Sequence, residues 1–341
     1  MLSSAFSQNG TRTPDEREGT RNHYWCKRVR WVVLGGGADP RRVERVGTVT
    51  VRGAVDGARP ARVDMREMEQ VRDALQEARP RAIVHLAAQS SVAVSYKDPV
   101  GTLRNNFLSA VNLFYAACKL DEMPRVLAIG SSEEYGSVAS EDMLFSEKQP
   151  LAPESPYGVS KAAQGLLALN LYRGEGLPTI VIRSFNHTGP RQEARFVIPA
   201  FARQIARIEA GLDEPVLRVG NLESMRDFTD VRDIVRAYRL AIEAAEPGQA
   251  YNLDSGRAIR IRHIIERLLE LSTAKISVEL DPVKLKPYDI PEMRADLTKF
   301  IRATGWQLRV SLEQTLKDML RYWRHQVTQE LRANPQRSKY R

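Results

Sequence analysis

The chain has 341 residues, about two domains by length, and its 43% hydrophobic and 27% charged content is that of an ordinary globular protein with a large core. No apolar run reaches the roughly 18 residues of a membrane span, no compact apolar block opens the chain as a secretory signal, and Cys26 and Cys118 make no disulfide framework, so a cytoplasmic protein without a membrane partner is expected. The formal charge of +9 suits a polyanionic partner, nucleic acid or a diphosphate-bearing small molecule, but arginines are scattered among acidic residues with no basic, aromatic-laced stripe, which argues against nucleic acid and makes solvated faces the expected source of the excess.

Residues 1–28 are polar, broken by Gly10, Pro14 and Gly19, and predict no regular element. From Arg30 the texture changes. Trp31-Val32-Val33-Leu34 reads as a buried strand ending in Gly35-Gly36-Gly37, and Met65, Met68, Val71 and Leu75 recur at helical spacing. Ala82 to Leu86 predicts a second strand, and a long helix starts near Asp98-Pro99 and runs to about Leu120. Arg125 to Gly130 predicts a third strand, a helix follows Pro156, and Thr179 to Ile182 predicts a fourth strand. Short apolar strands alternating with amphipathic helices mean βαβ units, hence an α/β fold with a doubly wound, Rossmann-like parallel sheet. After about Pro190 the rhythm loosens. The expected division is an atypical 1–28, a dinucleotide-binding domain over 29–189, a smaller α/β substrate region over 190–330, and a basic tail over 331–341.

The sharpest chemical signal is Tyr157-Gly-Val-Ser-Lys161, about two dozen residues after Ser131-Ser132. Residues four apart on a helix share a face, so the lysine ammonium can lower the tyrosine pKa for proton exchange with a hydroxyl or carbonyl. Ser131 ends a parallel strand, where α/β sheets bind ligands, and can hydrogen-bond the same oxygen. By itself the pattern is weak, since an exposed Tyr and Lys at helical spacing is common.

The surrounding text is more specific. His85-Leu-Ala-Ala-Gln89, Gly130-Ser-Ser-Glu-Glu-Tyr-Gly136, Ser155-Pro-Tyr-Gly-Val-Ser-Lys161, Phe185-Asn-His-Thr-Gly-Pro190 and Arg226-Asp-Phe-Thr-Asp230 occur in one order over roughly residues 29 to 325. Together they resemble the extended short-chain dehydrogenase/reductases of the NAD-dependent epimerase/dehydratase family, nearest the GDP-4-keto-6-deoxy-D-mannose reductases, with the GDP-mannose 4,6-dehydratases as neighbours. The resemblance implies Tyr157 as general acid/base, Lys161 as its partner, Ser131 as the hydroxyl holding the reacting oxygen, and Glu133 where dehydratases keep a carboxylate for proton transfer at C5–C6. For Glu133 a structural hydrogen bond to the adjacent loop is the competing reading. It implies cofactor contacts at Leu86, Ala87 and Ala88, where small side chains admit the cofactor to the backbone, and at Asp64 beside the adenine, with His85 structural. It implies substrate contacts at Ser90, at Asn186 near the diphosphate, and at Arg226, whose planar fork suits phosphate but could instead pair with Asp227 or Asp230. No metal ligands are assigned.

Departures from the family pattern stand at Ser109-Ala110 beside the helix asparagine Asn106, at Ser184, at Arg191 in place of a common Gly, and at Lys286. The largest is at the entrance. The family's GxxGxxG fingerprint, which lets the pyrophosphate approach a helix N-terminus, is not legible. Either Gly35 to Gly37 is a degenerate fingerprint, or Trp31 to Leu34 is the second strand and the first βα unit is missing or replaced. Spacing to Asp64 and His85 favours the second. Arg41 and Arg42 lean the cofactor towards NADP, with NAD the alternative. The expected function is a nicotinamide-dependent reduction of the 4-keto group of a GDP-linked 6-deoxyhexose by a homodimer paired through the helices after Pro99 and Pro156. The alternatives are a GDP-mannose 4,6-dehydratase and, because the fingerprint is absent, a non-catalytic nucleotide-sugar-binding remnant.

Overall fold

In a computed structural model the described residues are 31–36, 47–52, 59–137, 144–284 and 294–333, with backbone alone before residue 63. The segments 1–28 and 336–341, Gly37, Arg41, Arg42 and Lys286 lie outside them.

Three strands come first, β1 (Trp31–Gly36), β2 (Gly47–Arg52) and β3 (Arg59–Val63), followed by α1 (Met68–Ala78) and β4 (Ala82–His85). A helical run then holds α2 (Val92–Lys97), α3 (Pro99–Leu103), a π turn over Arg104–Leu108 and α4 (Ser109–Cys118). Next come β5 (Arg125–Ile129), α5 (Pro156–Glu175), β6 (Thr179–Ser184), β7 (His187–Thr188) and α6 (Val197–Glu209). The chain continues through β8 (Val216–Val219), β9 (Met225–Asp227), β10 (Thr229–Asp230), α7 (Val231–Ala244), β11 (Gln249–Leu253) and β12 (Ala258–Arg260). It closes with α8 (Ile261–Glu270), β13 (Ser277–Leu280), α9 (Thr298–Thr304) and α10 (Leu312–Ala333).

One seven-stranded sheet in the order β11-β6-β5-β4-β1-β2-β3 organises the molecule. The strands from β1 through β4, β5 and β6 to β11 pair in parallel, whereas β2 pairs antiparallel to both β1 and β3. This corrects the reading of Trp31 to Leu34 as a second strand: Leu34 lies in register with His85, directly beside β4. The spacing argument assumed that a helix and a strand had to fit between Gly35 and Asp64. An antiparallel return needs no long crossover, so β2 and β3 fit in that space. The first two strand pairings at this edge of the sheet are thus antiparallel.

Side chains alternate across the sheet as the pleat requires. Ile83, Val126, Ala128 and Val181 face Val71, Leu75, Leu113 and Phe114 on one side. Ala82, Val84, Leu127, Ile129, Ile180 and Ile182 face Ile234, Tyr238, Phe300 and Trp306 on the other. Each large apolar side chain removed from water contributes about 1.5–3 kcal/mol, so these two layers hold the sheet rigid beneath its loops. A third cluster, with Phe201, Ile205, Leu217, Ile264, Leu268 and Met319, joins α6, β8, α8 and α10. The seventh strand of the main sheet, β11, comes from beyond residue 190, as does α7, which packs on it. Helix α10 extends to Ala333. No helix of the described residues is long and apolar enough to cross a membrane.

Candidate active site

Helix α5 carries the Tyr/Lys pair, and its start is well defined: Ser155 accepts from the Gly158 N–H at 3.0 Å and Pro156 occupies the first turn, where its missing N–H is harmless. The first turn therefore lies against the carboxyl end of β5, where Ser131 caps a single 3₁₀ turn, Ser132–Glu134. The carboxyl ends of parallel strands converge here, which is where open α/β sheets place their ligands.

Tyr157 and Lys161 are both buried, 8% and 3% exposed, so neither is the exposed pair of the bland reading. The Ser131 side chain acts on the Tyr157 phenol and favours its ionised form. Burial pushes the Tyr157 phenol well above its ordinary value; Ser131 pulls it back, and Glu133 and Glu134 push it further up. Its ground state is the protonated phenol. The Lys161 ammonium donates to the Ile129 carbonyl at 2.7 Å and to Gln164 Oε1 at 3.3 Å, and burial lowers it to about 8 against the upward pull of Glu134. Glu133 is half-buried and accepts from the Ser155 hydroxyl at 3.4 Å, the adjacent-loop contact named as its competing reading.

The loop after β4 is pinned from behind. Asn106, fully buried in the π turn, accepts from the Gln89 N–H at 2.7 Å and donates to the Gln89 carbonyl at 3.0 Å and to Ser160 Oγ at 2.9 Å. Ser160 in turn donates to the Tyr157 carbonyl at 2.7 Å. One amide thus ties the segment bearing Leu86, Ala87 and Ala88 to helix α5, despite Ser109 and Ala110 beside it. His85 is fully buried against Phe114 and lowered to about 3 by burial, hence neutral.

Other residues singled out from sequence are placed less centrally. Asp64 follows β3, and its carboxylate is engaged by the Arg66 guanidinium at 2.6 and 2.9 Å, which holds it below the usual carboxylate range. Ser90 and Asn186 are exposed, and the Asn186 carbonyl accepts from the Thr229 N–H at 3.1 Å. Arg226 on β9 is half-buried and donates to the Met225 carbonyl at 2.7 Å. Asp227 accepts from Ser255 and Arg257, and Asp230 is held by Arg232 and Thr315. Arg191 takes φ +74°, the left-handed region that glycine enters freely and an arginine occupies at a cost of about 1–2 kcal/mol.

Sequence reasoning passed over three charged residues. Arg183 sits in the wholly buried strand β6 and pairs with fully buried Glu134 at 3.1 Å. An arginine inside an apolar strand demands such a partner, a signal that was available in the sequence. The third, Asp254, is buried at the end of β11, accepting from the Gly256 N–H at 2.6 Å and the Ala295 N–H at 2.8 Å. Burial and the Asp227 carboxylate raise it to about 8. The folded chain therefore keeps a proton that the unfolded chain releases, and the associated stability is present at acid pH and lost as pH rises through about 8. Asp254→Asn removes this titration. Between about pH 5 and about pH 9 the parent is expected to lose on the order of 4 kcal/mol relative to that variant, read from urea midpoints; parallel pH profiles would refute it.

The model of the GDP-mannose 4,6 dehydratase family matches residues 41–319. The chain belongs to that family. It is 35% identical over 271 residues to the GDP-6-deoxy-D-mannose reductase of Pseudomonas aeruginosa, a match covering 80% of this chain and 89% of the relative. To the human GDP-mannose 4,6 dehydratase it is 27% identical over 288 residues, covering 76% and 74%. Among solved structures, RMD from Pseudomonas aeruginosa complexed with NADPH aligns with a TM-score of 0.74 at 34% identity, covering 78% of this chain and 89% of that one. The UDP-glucose 4-epimerase of Thermus thermophilus in complex with NAD aligns at 0.68 and 29%, covering 77% and 84%. The α/β fold with its parallel sheet is the fold of these family neighbours.

Proposed function

We propose that this chain is an NADP-dependent enzyme that reduces the 4-keto group of a GDP-linked 6-deoxyhexose. The observation that carries it is the buried, protonated Tyr157 phenol, with Ser131 acting on it and Lys161 one turn on, in a chain 35% identical to a protein named GDP-6-deoxy-D-mannose reductase. Reduction of a ketone needs a proton donor, and burial favours that form of Tyr157.

The residues fit a dinucleotide. Gly35 and Gly36 end β1 on the same edge as the loop after β4, where Ala87 and Ala88 carry only methyl groups, and Asp64 closes β3. Leu86, Ala87, Ala88, Asp64, Tyr157 and Lys161 would hold the cofactor, Asp64 sharing its carboxylate with Arg66. A bound nicotinamide supplies the hydride. Ser131 orients the carbonyl oxygen, Tyr157 delivers a proton to it, and Lys161 stabilises the phenolate left behind. Ser90, Asn186 and Arg226 meet the nucleotide sugar, Arg226 at its diphosphate. The region built on the third hydrophobic cluster, mostly within residues 190–330, closes over the substrate, and residues 29–189 hold the cofactor. Exposed Val100, Leu103, Tyr115, Val159 and Leu166 lie on α3, α4 and α5, which supports a homodimer through these helices. A cytoplasmic setting belongs to the same reading.

The second reading is a GDP-mannose 4,6-dehydratase, favoured by the half-buried Glu133 carboxylate, whose charge acts on the Tyr157 phenol. The deciding experiment supplies the purified chain with GDP-4-keto-6-deoxymannose and NADPH, and separately with GDP-mannose alone. NADPH consumption in the first is expected. A 4-keto product in the second would establish the dehydratase instead, and neither reaction, with no NADPH binding by fluorescence, would leave a non-catalytic remnant.

A further inference from the structure

Beneath Tyr157 and Lys161 lies a carboxylate that no sequence motif flagged. Glu134 is fully buried, and its Oε1 accepts from the Ser131 N–H at 2.8 Å while Oε2 meets Arg183 Nε at 3.1 Å. A methyl group at Gly130 would fall 2.1 Å from Glu134 Oε1, and one at Gly165 would fall 3.6 Å from Oε2. Gly165 is one turn beyond Lys161 on α5. The carboxylate is thus wedged between the end of β5 and the catalytic helix, in space that a side chain at Gly130 would take.

Lys161 is the other half of the observation. Its two hydrogen-bond acceptors, the Ile129 carbonyl and Gln164 Oε1, are neutral. Burial disfavours the ammonium, and the carboxylate that opposes this is Glu134, whose Oε2 would lie 3.6 Å from a methyl group at Gly165, one turn from Lys161 on the same helix. The remaining groups around the pair are Arg183 from β6, which shares Glu134, neutral His85 from β4, and Tyr157 on α5 with Glu133 acting on it. Burial holds the Glu134 carboxyl above the ordinary carboxylate range, and Arg183, the Ser131 N–H and Lys161 limit that rise. Arg183 Nε at 3.1 Å and the Ser131 N–H at 2.8 Å both aim donors at the carboxyl oxygens, the arrangement of a charge pair.

We propose that Glu134 is a positioning residue: its buried carboxylate, balanced by Arg183, fixes the Ser131 backbone and keeps Lys161 protonated beneath Tyr157. The proposal rests on the reductase reading for its kinetic consequences but not for its electrostatic ones. A neutral Lys161 no longer stabilises the phenolate that forms as Tyr157 gives up its proton, so losing Glu134 would slow proton transfer without removing a substrate contact.

The test compares the parent with Glu134→Gln, which keeps an oxygen for Ser131 and loses the charge, and with Glu134→Gln/Arg183→Met, which leaves no unpaired guanidinium and guards against misfolding. Lysines labelled at ¹³Cε are titrated by NMR, with the Lys161 signal assigned by its loss in Lys161→Met. Both variants are expected to titrate Lys161 about one pH unit below the parent, a tenfold change in its protonated ratio. The alkaline limb of kcat should move down with it, while the KM for the keto sugar and NADPH affinity stay within about twofold, in line with an interaction that acts on the chemical step. An unchanged Lys161 midpoint in the double variant overturns the proposal. Absence of keto-sugar reduction by the parent sinks the reductase reading alone, since the NMR midpoints still decide the role of Glu134.

Discussion

Replacing Tyr157 by phenylalanine is expected to lower kcat for keto-sugar reduction by about a hundred- to ten-thousand-fold, the usual worth of a positioned general acid. The ring stays. Tyr157 is buried and Ser131 is the side chain that acts on its hydroxyl, so phenylalanine fills the same space and leaves Ser131 to reorient. Thermal stability should move by about 1 kcal/mol or less, the net worth of one neutral hydrogen bond. Lys161 keeps its bonds to Ile129 and Gln164, so NADPH affinity should hold. The measurement is single-turnover reduction under saturating cofactor, beside a fluorescence titration of the same preparation. A large kcat loss with intact binding places the hydroxyl in the chemical step. A variant as active as the parent would remove Tyr157 from catalysis and with it the reductase reading.

Arg183→Met should cost about 3–5 kcal/mol of folding stability, the penalty of leaving a buried charge without its partner. Glu134 is fully buried and Arg183 is 6% exposed, so water cannot take the place of the guanidinium. Arg183 also donates to the Tyr135 hydroxyl at 3.0 Å and lies over its ring at 5.0 Å, and Tyr135 donates to Asn252 at 2.6 Å. The change thus disturbs the link between the 3₁₀ turn and β11. The sign with pH follows from Glu134: once protonated it no longer needs a cation, so the deficit shrinks in acid and is largest at neutral pH. Urea denaturation of parent and variant at about pH 5 and about pH 7.5 checks both parts. A deficit below about 1 kcal/mol at neutral pH would mean that Lys161 alone compensates the carboxylate.

The three central strands β4, β5 and β6, the helix from Pro156 and the Tyr157/Lys161 pair on one of its faces were determined by the sequence alone. These features are local. An apolar run bounded by turn residues, a Ser-Pro helix start and a four-residue spacing each carry their own physics. Family membership was legible for the same reason, since five blocks in one order survive without any knowledge of packing. The place of Trp31–Gly36 beside β4 was decided only by the tertiary structure, because strand pairing joins residues some fifty apart and a spacing count cannot distinguish a crossover from an antiparallel return. The addition of β11 to the same sheet is also a long-range pairing. Of the neighbouring Glu133 and Glu134, the sequence could not say which stays half-buried beside Ser155 and which is fully buried against α5. The 3₁₀ turn capped by Ser131 makes that choice, and desolvation then gives the buried one its partner in Arg183 and its hold on Lys161.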